Sequence, residues 1–177
     1  MYGKDYPISV QVLDESNRRY VEDFFCDNPA IDNYFRRLAV DDKQAVTYIF
    51  IDEMNDAIIA CVTLACSAIF LKEAKKQFST IVSAMEIQYF AVDEEYKHIK
   101  YEEGSSFTLS YYILVYMLDL MKELSHTSIG AAKIILYSVP EAINFYKKCR
   151  FSEFGEGMLG DKGEFVEGCL PMYLDIN

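Results

Sequence analysis

The sequence predicts an α/β (α+β) fold in one domain spanning residues 1–177: a single mixed, mostly antiparallel sheet with helices on both faces. Three observations lead there. Three strand patterns follow one another between residues 47 and 92, strands and helices alternate after residue 93, and no repeat, low-complexity tract or Pro/Gly linker divides the chain. The 177 residues, 51% hydrophobic and 25% charged, suffice for one sizeable core.

Ile8 to Leu13 alternates and reads as a first strand. Arg18 to Phe25 and Ile31 to Val40 carry apolar residues at helical spacing, broken by the turn Asp27-Asn28-Pro29. Thr47 to Asp52 and Ile58 to Ala65 are β-rich runs around a polar turn, which predicts a hairpin, and a Lys-rich stretch follows to about Ser79. Met85 to Val92 alternates, with Met85, Ile87 and Tyr89 on a core face and Glu86 and Gln88 on a polar one. Leu109, Tyr112, Ile113, Tyr116, Met117, Leu120 and Leu124 share one helix face, and Ser105 or Ser106 is the expected N-cap. Lys133 to Tyr137 is a buried-type strand, and Ser138-Val-Pro-Glu141 reads as a capping box opening a helix through Lys148. Phe151 to Phe154 and Cys169 to Ile176 close the chain as strands joined by a Gly-rich loop.

Composition excludes several classes. Seventeen Lys+Arg against 28 Asp+Glu leave a net charge of −11, which argues against nucleic acid as partner, since phosphate binding rests on clustered cations. No run reaches the roughly 20 apolar residues of a membrane span, and the polar start MYGKDYP resembles no targeting segment, so a cytoplasmic protein without membrane contact is expected. Five cysteines without a C-x-x-C pattern read as buried thiols, and His98 and His126 stand at no ligand spacing, so no metal is expected.

Two segments carry a resemblance. Ala142, Phe145, Tyr146 and Phe151 in Pro140-Glu-Ala-Ile-Asn-Phe-Tyr-Lys-Lys-Cys-Arg-Phe151 match the A-x-x-F-Y-x-x-x-G-F helix-to-strand pattern of the GNAT superfamily of N-acetyltransferases, and Glu86 to Asp93 is similar to that family's fourth strand. The element order resembles the family along nearly the whole chain. The resemblance implies a GNAT-like acyl-CoA N-acyltransferase fold and transfer of an acetyl group from acetyl-CoA, or another acyl-CoA, to a primary amine. Phe90, Ala91 and Val92 would line the pantetheine arm, and Gly104, Ser105, Ser106 and Phe107 would receive the pyrophosphate at a helix start. Lys97, His98 and Lys100 lie where they can reach phosphates. Glu86 would deprotonate the amine and Tyr146 would protonate the leaving thiolate.

The chain departs from the family at three points. It lacks the Q/R-x-x-G-x-G/A signature, holding one glycine, Gly104, behind Glu102 and Glu103; Arg150 stands where a glycine is usual; and Val139 stands where many members carry Asn. The alternative from another class is a catalytically silent GNAT-like binding module that no longer holds CoA. For the enzyme, the acidic balance favours a cationic small-molecule or protein amine as acceptor and leaves a homodimer open, and it speaks against a likeness to GNAT-type toxins that acetylate charged tRNA.

Overall fold

Alternating β-branched and aromatic residues build most of the protein's strands. The computed structural model describes residues 7–72, 80–102, 104–160 and 168–176. The chain forms two compact units, residues 1–64 with 89–118 and residues 65–88 with 119–177. Two long strands, β3 (Ala57–Leu71) and β4 (Thr80–Val92), run from one into the other.

In the first unit the strand order is β1-β2-β3-β4. β1 (Ile8–Val12) pairs antiparallel with β2 (Ala45–Asp52) from Ile8↔Asp52 to Val12↔Tyr48. The β2–β3 turn is organised by Asp52, a buried carboxylate that accepts from the amides of Met54 (2.9 Å) and Asn55 (3.2 Å) and from Asn55 Nδ2 (2.8 Å). Of the expected broken helix, the first piece is a 3₁₀ turn, Arg18–Val21, with Tyr20 N–H bonded to Asn17 O at 3.1 Å. The second begins as α1 (Pro29–Asn33), where Asn28 Oδ1 accepts from the amides of Ala30 and Ile31, and continues as a π-helical turn, Tyr34–Leu38. Val21, Phe24, Phe35, Ile49 and Cys61 are fully buried in one cluster with Leu13, Ile51 and Ala91. The hydroxyls of Thr47 and Thr63, both buried, satisfy each other at 2.8 Å.

In the second unit the order is β3-β4-β5-β8-β6, with β7 (Met158–Gly160) also on β3. β5 (Lys133–Ser138) runs parallel to β4 from Ala84↔Lys133 to Ile87↔Leu136, and β8 (Leu170–Asp175) runs antiparallel to β5 along its whole length. β6 (Ser152–Glu153) pairs with β8. The sheet is therefore mixed and mostly antiparallel, as expected. Helix α2 (Leu109–Leu124) passes into a π-helical turn, Ser125–Ile129, which Gly130 ends at φ +66. α3 (Ile143–Lys148) follows a 3₁₀ turn at Pro140–Ala142.

Several expectations change. β3 extends six residues beyond the expected end at Ala65, and β4 starts at Thr80 instead of Met85. The unforeseen strand β7 (Met158–Gly160) explains part of that length by pairing Gly160 with Ile69 and Met158 with Leu71. A Cβ at Gly160 would lie 2.0 Å from the Tyr137 hydroxyl oxygen, so a larger residue there would have to displace that ring. The capping box does not form. Ser138 ends β5 instead, its hydroxyl donates to Val139 O at 2.9 Å, and Pro140 opens a 3₁₀ turn closed by Ala142 N–H on Val139 O. Residues 73–79 of the Lys-rich stretch and residues 161–167 of the Gly-rich loop lie outside the described residues.

Candidate functional site

Glu86 and the triplet Phe90, Ala91, Val92 lie on one strand, β4. Glu86 is paired in register with Ile135 and only 1% exposed, so the polar face expected of this strand is covered here. From Ala84 to Ile87, where β4 runs beside the parallel strand β5, consecutive side chains are buried, so both faces of the sheet are covered there. The β4–β5 ladder ends at Ile87↔Leu136, while β5 continues with β8 to Ser138↔Leu170. Phe90, Ala91 and Val92 therefore lie beyond the last β4–β5 pair, with Ala91 and Val92 buried.

Tyr146 is carried by α3, a helix of one and a half turns that could not persist without its ending. That ending is a Schellman motif. Phe151 N–H donates to Tyr146 O at 3.1 Å, Arg150 N–H donates to Lys147 O at 3.0 Å, and Arg150 takes the left-handed conformation at φ +70. This is the position where the family pattern has glycine, and the motif supplies the physical reason for one. The Tyr146 ring packs edge-on against Phe145 (5.3 Å) and Phe151 (5.8 Å). Burial pushes the Tyr146 phenol above its ordinary range, and the neighbouring Cys149 and Cys169 sulfurs add to this, so the hydroxyl stays protonated at neutral pH. Val139, which replaces the family's Asn, is 46% exposed.

The loop between β4 and α2 is fastened at its start. Asp93 N–H donates to Ile59 O (2.8 Å), and its carboxylate accepts from the amides of Phe25 and Glu95 (both 3.1 Å). Tyr96, buried, donates its hydroxyl proton to Asp52 at 3.1 Å. Although burial alone would raise the Asp52 pKa, its hydrogen bonds from Asn55, Met54 and Tyr96 hold it below the usual carboxylate value. Lys97 Nζ donates to Cys26 O at 3.0 Å and pairs with Glu94, whereas His98 and Lys100 are exposed.

Gly104 turns the chain at φ +80 with nothing within 4 Å of where a Cβ would stand, so the turn is open to close approach. Glu103, expected beside it, lies outside the described residues. Neither Ser105 nor Ser106 caps α2. Ser105 Oγ accepts from Phe107 N–H at 3.1 Å, and the helix starts at Leu109, delayed because Thr108 forms a β-bridge with Lys100. The Leu109 amide is spent on Ile99 O at 2.8 Å. Ser106 is exposed and bonds no other group among the described residues. Phe107, also exposed, stacks on Tyr111 with centroids 4.3 Å apart.

Sequence reasoning missed a cavity of about 480 Å³ in the first unit, whose lining includes Arg19, Tyr20, Phe25, Asp56, Asp93 and Tyr96. Its carboxylates are mostly committed internally: Asp56 to Arg19 and the Tyr20 hydroxyl, Asp93 to backbone amides, Glu94 to Lys97. No local motif marks it in the sequence, because its lining comes from three separate stretches of the chain. Among the described residues no group of three or more His, Cys, Asp or Glu is placed to hold a metal ion, and no helix is long and apolar enough to cross a membrane.

No family model and no curated protein matches the chain. Solved structures match along nearly its whole length. A bacterial toxin is similar at TM-score 0.71 and 17% identity, covering 97% of this chain and 92% of its own. A tyrosine-to-phenylalanine mutant of the AtaT toxin, bound to the C-terminus of the antitoxin AtaR and acetyl-CoA, is similar at TM-score 0.68 and 12% identity, covering 96% and 93%. AtaT complexed with acetyl-methionyl-tRNAfMet is similar at TM-score 0.67 and 13% identity, covering 95% and 94%. The fold is thus the GNAT fold of these toxins. The expectation that small-molecule or protein amines are the partners and nucleic acid is excluded is overturned: one similar structure holds a tRNA, and another, at TM-score 0.68 and 11% identity, is the KacTA–DNA complex. Net charge is a whole-chain sum, and a protein of this fold can meet nucleic acid through a local surface or a bound partner.

Proposed function

We propose that the protein is an N-acyltransferase that moves an acetyl group from acetyl-CoA to a primary amine, and that an aminoacyl-tRNA is the first acceptor to try. The observation that carries the reading is Tyr146: a buried, protonated phenol held at a Schellman helix end, in a fold whose similar structures include a tyrosine-to-phenylalanine mutant toxin with acetyl-CoA. The tRNA complex of another similar structure supports the choice of acceptor.

Acetyl-CoA would supply an activated thioester. The residues present fit it: the open turn at Gly104, the exposed Ser106, and the stretch of β4 beyond its last pair with β5. Phe90, Ala91 and Val92 would line the pantetheine arm, and the open turn at Gly104 with the exposed Ser106 would face the phosphates, the amides of Ser105 and Phe107 being spent within the loop. Lys97, held to Cys26 and Glu94, would position the loop, and the exposed His98 would be free to reach the phosphates. Glu86 takes a proton from the amine, directly or through one water. The amine nitrogen then bonds to the thioester carbon, the carbon–sulfur bond breaks, Tyr146 gives its proton to the sulfur, and the nitrogen's remaining surplus proton passes to solvent. Amide and thiol are the products, and solvent restores both side chains.

The test is thermal unfolding with acetyl-CoA, using ATP as control, followed by transfer of labelled acetyl to aminoacyl-tRNA and to a polyamine. Ligand at about a hundred times its Kd stabilises by roughly 2.7 kcal/mol, a rise of about 5–10 °C for a chain of this size. A rise with acetyl-CoA alone and label on the aminoacyl-tRNA is the expected result. No shift at millimolar acetyl-CoA would overturn the enzyme in favour of the silent binding module.

A further inference from the structure

We infer that Phe107, backed by Tyr111, is a stacking platform for the adenine ring of the acyl-CoA, an inference that rests on the acyl-CoA reading above. An aromatic ring 44% exposed on a folded surface forgoes burial it could otherwise have, so its orientation calls for a cause. Here the orientation is built. Phe107 lies nearly parallel to Tyr111, at 18° and 4.3 Å, and both rings meet Tyr112 edge-on at 6.4 and 5.9 Å. Tyr112 in turn packs 4.0 Å from Tyr101, which is 4% exposed and anchors the stack in the core. One face of Phe107 is therefore taken by Tyr111, and its remaining surface is presented in a fixed pose. A flat, preorganised ring is what a nucleobase stacks on, at little entropic cost.

Two neighbouring observations choose the ligand. Lys100, exposed, is bridged to Thr108, the residue after Phe107, and so brings a cation into the same neck of the loop as the ring. The amides around the helix start are largely spent: Ser105 on Glu102 O, Phe107 on Ser105 Oγ, Leu109 on Ile99 O. A loop with few free amides, and without the glycine signature, cannot rely on an amide cradle for the pyrophosphate. Ring stacking on the adenine replaces the affinity such a cradle would supply.

The experiment measures affinity for acetyl-CoA and for S-acetyl-4′-phosphopantetheine, which lacks the adenosine, by calorimetry on the wild type, Phe107→Ala, Phe107→Leu and Phe107→Trp. Phe107→Ala is expected to weaken acetyl-CoA by about 5- to 100-fold and leave the truncated ligand unchanged. Phe107→Leu, which keeps apolar bulk without a ring, should behave like Ala, and Phe107→Trp should retain wild-type affinity. Equal losses for both ligands, or none for either, would overturn the platform while the acyl-CoA reading stands. Binding of neither ligand to the wild type would overturn both.

Discussion

Phe151 holds Tyr146 twice, by its amide on the Tyr146 carbonyl at 3.1 Å and by its ring at 5.8 Å. The first contact closes helix α3 and the second seats the phenol, so the strand that follows the helix fixes the tyrosine on it. The link between them is Arg150, an exposed residue in the left-handed conformation. An L-residue other than Gly pays about 1–2 kcal/mol there.

Arg150→Gly is therefore expected to stabilise the protein by about 0.5–1 kcal/mol, the relief of strain exceeding the entropy lost by glycine. Thermal unfolding should show a midpoint about 1–4 °C higher. A lower midpoint would mean that the Arg150 side chain makes a contribution that outweighs its backbone cost.

Tyr146→Phe keeps the ring packing and removes only the hydroxyl. Turnover should fall about 10²-fold or more, while acetyl-CoA affinity stays within about twofold. Because burial and the nearby sulfurs raise the Tyr146 pKa, the wild-type rate should not decline on the alkaline side below pH 10. Unchanged turnover in the variant would remove Tyr146 from the chemistry.

Glu86→Gln is nearly isosteric at a buried strand position. With the proposed base lost, turnover should drop at least tenfold at neutral pH while acetyl-CoA affinity stays within about twofold. Unchanged turnover would assign Glu86 to strand packing instead.

Alkaline stability follows from buried groups. Burial, with help from Asp32, pushes the Cys26 thiol up to about 12, and burial does the same for the Tyr34 and Tyr96 phenols. In the unfolded chain these groups ionise near 9 and 10. Their folded values lie higher, so their contribution is complete below pH 9 and is lost as pH rises from about 9 through 12. Urea midpoints measured between pH 7 and 11 should fall across that window, and less steeply in Cys26→Ala.

The fold was legible because its elements leave local marks. The helical spacing from Leu109 to Leu124 and the segment from Ala142 to Phe151 announce themselves by side-chain type. What stayed hidden depends on distant partners. β7 is three residues long and exists because Ile69 to Leu71 offer an edge, and Glu86 is buried because both faces of β4 are covered from Ala84 to Ile87. The serines before α2 are good caps by type, yet the Lys100–Thr108 bridge draws the chain into an extended path past them. The partner expectation failed for a different reason, since a charge total carries no address on the surface.

The fastenings of the β4–α2 loop have a consequence for how such a protein can change. Its first residues are staked to Ile59, Phe25 and Asp52, and Ile99 and Lys100 are tied to Leu109 and Thr108 across its neck. Insertions or replacements between residues 102 and 107 would leave every one of those ties, and the buried Tyr101, in place. The segment behaves as an exchangeable cassette, and swapping it is the shortest route, for evolution or an engineer, to a new ligand preference on an unaltered scaffold.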